Sequence, residues 1–199
     1  MSLLVWATSF LVSTLSPEGR CLALNVYWEA SVANQQLAGQ RAVAQVTLAR
    51  AADNRHDWGG RSLCSVVYHA NVSKKKRLIV AEFSWTRNKN AQHWPQRVWA
   101  WTQAVWVAHE ALLEQTPDLG LAAARYYLNP ATSSRGGRCW FEKNLIPVVA
   151  IGDHHFYREP TSEERAAGWR PSTPPWCAMV HKYKKFRSRH AAHPLRRRA

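Results

Sequence analysis

Acidic residues are scarce in this chain, with 13 Asp and Glu against 27 Lys and Arg, and the formal net charge is +14. Residues 182–199 contain eight Lys and Arg, no acid and few apolar residues, so we expect this tail to be disordered. A cationic tail favours contact with polyanions such as nucleic acid, lipopolysaccharide, anionic lipid or teichoic acid. A tail that only increases solubility is the alternative.

Charge is also missing at the other end of the chain, where no charged residue precedes Glu18. The apolar start is too short for an ordinary transmembrane helix, and it lacks the basic beginning of a secretory signal peptide. Residues 1–19 are therefore predicted to form either a first helix packed on the domain or a weakly membrane-associating segment.

Motifs for metals and cofactors are absent. His109-Glu110 has no second His at the spacing of a zinc protease, and no glycine loop has the strand-to-helix context that binds phosphate. Asp153-His154-His155 is better explained as a turn and the start of a strand than as a metal site. We expect no cofactor and no metal, and no Ser/His/Asp order indicates a serine hydrolase.

The chain has four cysteines, and no two of them have C-x-x-C spacing. Disulfides and free thiols therefore both remain open for Cys21, Cys64, Cys139 and Cys177.

The remaining sequence predicts a mixed α+β domain over residues 20–160, followed by a Pro-containing extension at 161–181. Helices are predicted at 21–31, 40–52 and 96–115, the last being the longest and opened by Pro95. Arg41 and Arg50 are expected to face water on the second helix. Gly152-Asp153 is predicted to turn a hairpin between strands at 148–151 and 154–157.

Glu29 is the unusual residue of the first helix, which is apolar on nearly all sides. A carboxyl group surrounded by apolar side chains holds its proton more tightly, and a raised pKa suits a general acid at neutral pH. Asn25, one helical turn earlier, is placed to orient it. An acid that points to water or pairs with an arginine is the alternative.

Six ordered segments resemble the cell-wall hydrolase family of spore cortex-lytic (SleB-type) enzymes, which has relatives in bacterial genomes and phage endolysins. They span residues 21–158 and read CLALNVYWEA, GQRAVAQVTLAR, SLCSVVYH, EFSWT, ARYYLNP and VVAIGDHHFYR. The resemblance implies a lysozyme-like, lytic-transglycosylase-like fold with a mainly helical lobe and a small β lobe around a groove. It also implies cleavage of peptidoglycan glycan strands between N-acetylmuramic acid and N-acetylglucosamine.

The same resemblance assigns the site. Glu29 matches the family's catalytic Glu, and the other candidates are expected to bind substrate. Trp85 is the favoured sugar-stacking surface, and the hydroxyl groups of Ser84 and Thr86 are candidates for hydrogen bonds to substrate or to Glu29. The full set of substrate-binding candidates is Phe83, Ser84, Trp85, Thr86, Tyr126, Tyr127, Asn129 and His154.

Two departures from the family pattern keep the mechanism open. The segment after Glu29 lacks the family's Arg and second Glu and is about two residues longer, and Glu82 stands where the family often has Gln. With one acid, a lytic transglycosylase route is favoured. With Glu82 as second carboxylate, hydrolysis is the alternative. Asp53, Asp57 and Asp153 are weaker second acids.

The overall interpretation is a monomeric phage endolysin that acts on peptidoglycan without binding a specific nucleic acid. Its basic tail would contact lipopolysaccharide or an anionic membrane. The expected location is the host cytoplasm, then the periplasm and cell wall, with possible transient membrane association through residues 1–16. A basic nucleic-acid-binding protein is the alternative of another class, since charge and eleven tryptophans suit phosphate contacts and base stacking.

Overall fold

The computed structural model describes residues 15–31, 35–73, 78–81, 83–87, 95–170 and 177. Several sequence predictions fall outside these residues: the segment 1–14, Glu82, the basic tail at 182–199 and most of the Pro-containing extension. The domain boundaries therefore stay predictions.

The first helical layer begins with α1 (Pro17–Val26), which continues into a π-helical turn at Tyr27–Ser31. The Ser16 side chain caps α1 by accepting from the backbone N–H of Gly19 at 3.1 Å, and Pro17 occupies a first-turn position that tolerates its missing N–H. Helix α2 (Leu37–Asp53), a 3₁₀ turn (His56–Trp58) and α3 (Leu63–Tyr68) follow. A second 3₁₀ turn covers Ser84–Arg87.

Helix α4 (Val98–Leu112) is shorter than predicted, and α2, not α4, is the longest helix among the described residues. The predicted start beside Pro95 is wrong because Arg97 is extended and donates its backbone N–H to the Tyr27 hydroxyl at 3.2 Å. Glu114 then adopts a left-handed conformation just past the helix end. Two shorter helices complete the set, α5 (Arg135–Asn144) and α6 (Ser162–Ala166).

The strands form two small antiparallel sheets. Strand β1 (Ala70–Ser73) pairs with β2 (Leu78–Ala81). Strands β3 (Tyr126–Leu128), β4 (Ile146–Ile151) and β5 (His154–Arg158) form a sheet in the order β3-β5-β4. Gly152, with φ of 57°, lies in the turn between β4 and β5, which confirms the predicted hairpin.

The main core lies where α1 packs against α2, α3 and α4. Its fully buried side chains include Leu22, Val26, Val43, Val66 and Val105. Two disulfides tie this body together: Cys21–Cys64 joins α1 to α3, and Cys139–Cys177 joins α5 to the described residue of the C-terminal extension.

A mainly helical body with a small three-stranded sheet confirms the predicted α+β class. The expectation that Arg50 faces water is wrong, because the residue is 5% exposed. Arg41 is also largely covered and forms a bidentate ion pair with Glu110 at 2.8 Å. Within the described ranges, no helix has both the length and the apolar character needed to span a membrane.

Candidate active site

Glu29 lies in the π-helical turn at the end of α1. Such turns widen a helix locally and occur often at functional sites. The end of the turn is held by Ser31, whose hydroxyl donates to Gln40 Oε1 at 2.9 Å, while Gln40 Nε2 donates to the Gln35 carbonyl at 3.0 Å. This buried network fixes the backbone that carries Glu29.

The carboxyl group of Glu29 faces a cavity of about 400 Å³ between the helical body and the three-stranded sheet. The lining comes from α1, α2, the segment after β2, strand β3, the loop after β3, α5 and the start of β5. The lining residues are Glu29, Arg50, Phe83, Ser84, Tyr127, Leu128, Asn129, Thr132, Ser133, Phe141 and His154. A cavity of this size accommodates part of a sugar chain.

Burial raises the pKa of Glu29 to about 7, because a carboxylate loses hydration in these surroundings. The Tyr127 hydroxyl and the positive charge of Arg50 both lower the pKa of Glu29, but their combined effect is smaller than that of burial. A carboxyl group with this pKa is substantially protonated at neutral pH. It can therefore both donate and recover a proton there.

Tyr127 presents its phenol to the same cavity. The hydroxyl group is buried and has no hydrogen-bond partner of normal geometry among the described residues, although it lies close enough to Glu29 to lower that group's pKa. Burial and the charge of Glu29 raise the pKa of Tyr127 well above its usual value, so the phenol keeps its proton. It is therefore a hydrogen-bond donor available to a bound ligand or to the Glu29 carboxylate.

Arg50 brings a buried cation to the cavity from the last turn of α2. Its Nε atom donates to the Arg125 carbonyl at 2.6 Å, and its guanidinium carbon lies 5.4 to 5.7 Å from three aromatic ring centres. Those rings belong to Trp58, Phe83 and Tyr126. The aromatic faces compensate part of the cost of burying the charge.

His154 is 4% exposed at the start of β5 and touches both the cavity and the Tyr127 ring, with ring centres 4.9 Å apart. Its Nδ1 atom lies 3.0 Å from Gln35 Oε1. With that oxygen as acceptor, Nδ1 carries the proton and Nε2 is left as an acceptor. Burial lowers the pKa of His154 to about 4, so the ring is neutral at the pH where Glu29 titrates.

Three further predicted residues line the cavity. Phe83 is buried and supplies an apolar wall, whereas Ser84 is exposed and offers its hydroxyl. Asn129 begins the loop after β3, and its Oδ1 atom accepts from the backbone N–H of Ala131 at 2.9 Å. The structure thus places six predicted residues on one cavity: Glu29, Phe83, Ser84, Tyr127, Asn129 and His154.

Trp85 does not provide the predicted sugar-stacking surface. It is 8% exposed, donates from Nε1 to Asn25 Oδ1 at 3.0 Å and stacks on Trp28, so it belongs to the core beneath the cavity. The Asn25 amide donates to Thr47 Oγ1 at 3.0 Å. Asn25 was expected to orient Glu29, but its side chain bonds to Trp85 and Thr47 instead.

Two other predicted substrate contacts have side-chain hydrogen bonds within the protein and do not line the cavity. Thr86 uses its hydroxyl to donate to the Phe83 carbonyl at 2.8 Å and does not line the cavity. Tyr126 points to the other face of the sheet, where its hydroxyl donates to Glu159 at 2.5 Å and its ring packs near Arg50. Tyr127 lines the cavity and its strand neighbour Tyr126 does not.

Among the described residues, Glu29 is the one carboxylate that lines this cavity. Asp53 is paired with Arg125 at 2.7 Å, and Asp57 is paired with Arg55 at 2.7 Å. Asp153 lies in the exposed hairpin turn away from the lining. Glu82 is not among the described residues.

Sequence reasoning missed several lining residues. Arg50 was assigned to solvent because it is charged, although the spacing 43, 46, 50 places it on the same helix face as the buried Val43 and Val46. Phe141 comes from a helix that was not predicted. Thr132 and Ser133 follow Asn129 in the loop after β3. Extending the matched ARYYLNP segment by four residues would have included this loop. Nothing in the local sequence identifies Phe141.

Comparison with known proteins gives two matches. The family model described as Cell Wall Hydrolase matches residues 34–157. A solved structure, the catalytic domain of the germination-specific lytic transglycosylase SleB from Bacillus anthracis, superposes with a TM-score of 0.50 at 20% sequence identity. That match covers 73% of this chain and 98% of the other. A search of curated protein sequences finds no match.

The fold and the buried acid in its cavity define an enzyme of the lysozyme-like α+β class. The family match extends over more than half of the 199 residues. The chain belongs to the cell wall hydrolase family. Glu29 precedes the matched range, so its assignment rests on its position in the cavity and on the local resemblance of its motif.

Proposed function

We propose that this protein cleaves peptidoglycan glycan strands between N-acetylmuramic acid and N-acetylglucosamine as a lytic transglycosylase. Family membership supports a cell-wall substrate, and the structural neighbour is itself a lytic transglycosylase. The observation that carries the proposal is a single carboxyl group, Glu29, with a pKa of about 7 in a cavity whose described lining contains no second acid.

In the first step, the protonated Glu29 donates its proton to the glycosidic oxygen as the bond from that oxygen to C1 of muramic acid breaks. In the second step, the muramic acid 6-hydroxyl oxygen forms a bond to C1, and its proton passes to the Glu29 carboxylate. The products are a free 4-hydroxyl group and a 1,6-anhydro sugar, and Glu29 regains its proton. Because the nucleophile is part of the sugar, no water has to be positioned and one carboxyl group suffices.

The other lining residues have two roles: some stabilise the negative charge on Glu29, and others bind the sugar. The Tyr127 phenol is placed to donate to the Glu29 carboxylate between the two steps, and Arg50 stabilises the same negative charge from a distance. Ser84 and Asn129 supply polar groups for sugar hydroxyls, and Phe83 supplies an apolar wall. These assignments predict that Tyr127→Phe lowers kcat more than it raises KM.

The test is mass spectrometry of purified peptidoglycan digested by the full chain. We expect 1,6-anhydro-muramic acid ends, and reducing muramic acid ends would overturn the transglycosylase assignment. Glu82→Gln distinguishes the alternative, hydrolytic muramidase: the variant should still give anhydro products at a rate within a few-fold of wild type. Loss of activity in Glu82→Gln equal to that in Glu29→Gln would favour two-carboxylate hydrolysis.

We also propose that the protein is a phage endolysin that works on the wall after leaving the host cytoplasm, with the basic tail contacting lipopolysaccharide. The net charge of +14 supports the tail's role. Removal of residues 182–199 should weaken lysis of intact Gram-negative cells from outside while leaving the digestion of purified peptidoglycan unchanged. Equal lysis of intact cells by both chains would contradict this role.

A further inference from the structure

Helix α4 exposes large apolar side chains on its outward face, where Thr102, Gln103 and His109 also lie. The buried side includes Trp101, Ala104, Val105 and Ala108. The outward side carries three large exposed apolar residues, which we call the α4 outer face: Trp99 at 50%, Trp106 at 41% and Leu113 at 52%. Large apolar side chains exposed in line on one helix face mark a surface that another segment covers.

The spacing of these residues makes the outer face continuous. Trp99, Trp106 and Leu113 are seven residues apart, which places them in line along nearly four turns. The one acid beside this line, Glu110, is neutralised by Arg41, whose guanidinium group also lies 5.2 Å from the centre of the Trp106 ring. The outer face is therefore an apolar strip with Thr102 and His109 between its members, and its adjoining acid is already paired.

The chain upstream of Leu15 begins at one end of this strip. A Cβ atom built on Gly19 would lie 3.0 Å from Leu15 Cδ2 and 3.1 Å from Leu112 Cδ1, so both leucines pack over the same glycine. Leu15 is buried there. At the other end of α4, Arg97 bonds to Tyr27, so α1 and α4 run antiparallel. A segment turning back before α1 would run along α4.

The length and composition of that upstream segment fit the strip. Residues 1–14 contain no charged side chain and nine apolar ones: Met1, Leu3, Leu4, Val5, Trp6, Ala7, Phe10, Leu11 and Val12. Fourteen residues span about 21 Å as a helix, and the fifteen residues of α4 span about 22 Å. Covering two half-exposed tryptophans would bury a large apolar area.

We propose that residues 1–14 pack along the α4 outer face and complete the helical layer of the domain. No residue of α4 lines the Glu29 cavity, so this contact lies apart from the proposed chemistry. It does not depend on the proposed function. It assigns the first of the two roles that the sequence leaves open for the apolar start of the chain.

Photocrosslinking of the full chain tests this contact. The photoreactive residue p-benzoylphenylalanine replaces Trp106, which is 41% exposed, in one protein and Trp140, a 49% exposed aromatic on α5, in a control. We expect an intramolecular crosslink from position 106 to residues 1–14, mapped by mass spectrometry, and none from position 140. The proposal is overturned if position 106 gives no crosslink to residues 1–14, or crosslinks only to a second chain or to added anionic vesicles.

A second measurement does not need the photoreactive residue. Deletion of residues 1–14 should raise the fluorescence of an apolar dye bound to the protein several-fold, and Trp99→Gln with Trp106→Gln in the shortened chain should reverse most of that rise. Purified-peptidoglycan activity reports whether the shortened chain has folded. A folded, active shortened chain with unchanged dye fluorescence contradicts the proposal.

Discussion

The Arg50 guanidinium group and the Glu29 carboxyl group line the same buried cavity, and the positive charge of Arg50 lowers the pKa of Glu29. Burial acts in the opposite direction and is stronger, so the pKa of Glu29 lies at about 7. The cavity therefore holds a proton that it can release and take back near neutral pH.

Removal of the Arg50 charge should move the pH dependence of activity. Glu29 must be protonated to begin the reaction, so the wild-type rate should fall about tenfold per pH unit above a midpoint near 7. Arg50→Gln should move that midpoint upwards, because a nearby cation favours the carboxylate. Arg50→Lys retains the charge and should keep the midpoint near that of wild type. An unchanged midpoint in Arg50→Gln would show that the two groups are not electrostatically linked.

Glu29 should cost stability at alkaline pH. Its pKa is about 7 in the folded protein against 4.5 for the ordinary group, so the folded state binds the proton more tightly. This stabilisation is complete below pH 4.5 and is lost as the pH rises through 7. Between pH 5 and pH 8 the free energy of unfolding of Glu29→Gln should improve relative to wild type by about 2–3 kcal/mol.

Urea denaturation at the two pH values measures this difference. Glu114→Gln, which changes an exposed acid outside the cavity, is the control and should follow wild type at both pH values. A Glu29→Gln curve parallel to wild type across the range would mean that the carboxyl group is solvated in the folded protein.

Trp85→Phe should affect stability and not substrate binding. The substitution removes the hydrogen bond to Asn25 Oδ1 and leaves that buried oxygen without this donor, at a cost of about 1–3 kcal/mol. KM for peptidoglycan should stay within twofold, whereas Ser84→Ala should raise KM because Ser84 lines the cavity. A raised KM with unchanged melting temperature in Trp85→Phe would contradict this prediction and indicate that the indole contacts substrate.

Loss of the Cys21–Cys64 disulfide should destabilise the domain strongly. The bond joins α1 to α3 across 43 residues, and a loop of that size gives about 3–4 kcal/mol on the chain-entropy model. Cys21→Ser with Cys64→Ser should lower the denaturation midpoint accordingly under non-reducing conditions. A double variant as stable as wild type would show that this bond is not formed in the purified protein.

The local features of the site were largely predictable from sequence. The apolar residues around Glu29 indicated burial, and Gly152-Asp153 between two strand-like segments indicated the hairpin. Both signals depend on neighbours in the chain. The side chains of Tyr127 and His154 then reach the cavity because their strands pair in the order that places them on one face.

The long-range features were not predictable. The spacing 43, 46, 50 puts Arg50 on the apolar face of α2, but only the tertiary contacts with Phe83 and the Arg125 carbonyl show what surrounds its charge. From its sequence position, Trp85 suits a sugar-stacking surface and a buried core position equally well. Its hydrogen bond to Asn25, sixty residues away in the chain, shows that it belongs to the core. These outcomes depend on packing between elements, which periodicity does not encode.

The most direct test of the central claim is the rate at which Glu29→Gln digests purified peptidoglycan, measured beside Glu114→Gln with both proteins shown to be folded. The amide keeps the shape of the side chain and cannot donate a carboxylic proton. The account predicts a loss of roughly 100- to 10,000-fold in Glu29→Gln and none in the control. A Glu29→Gln protein that digests the wall at the wild-type rate would contradict it.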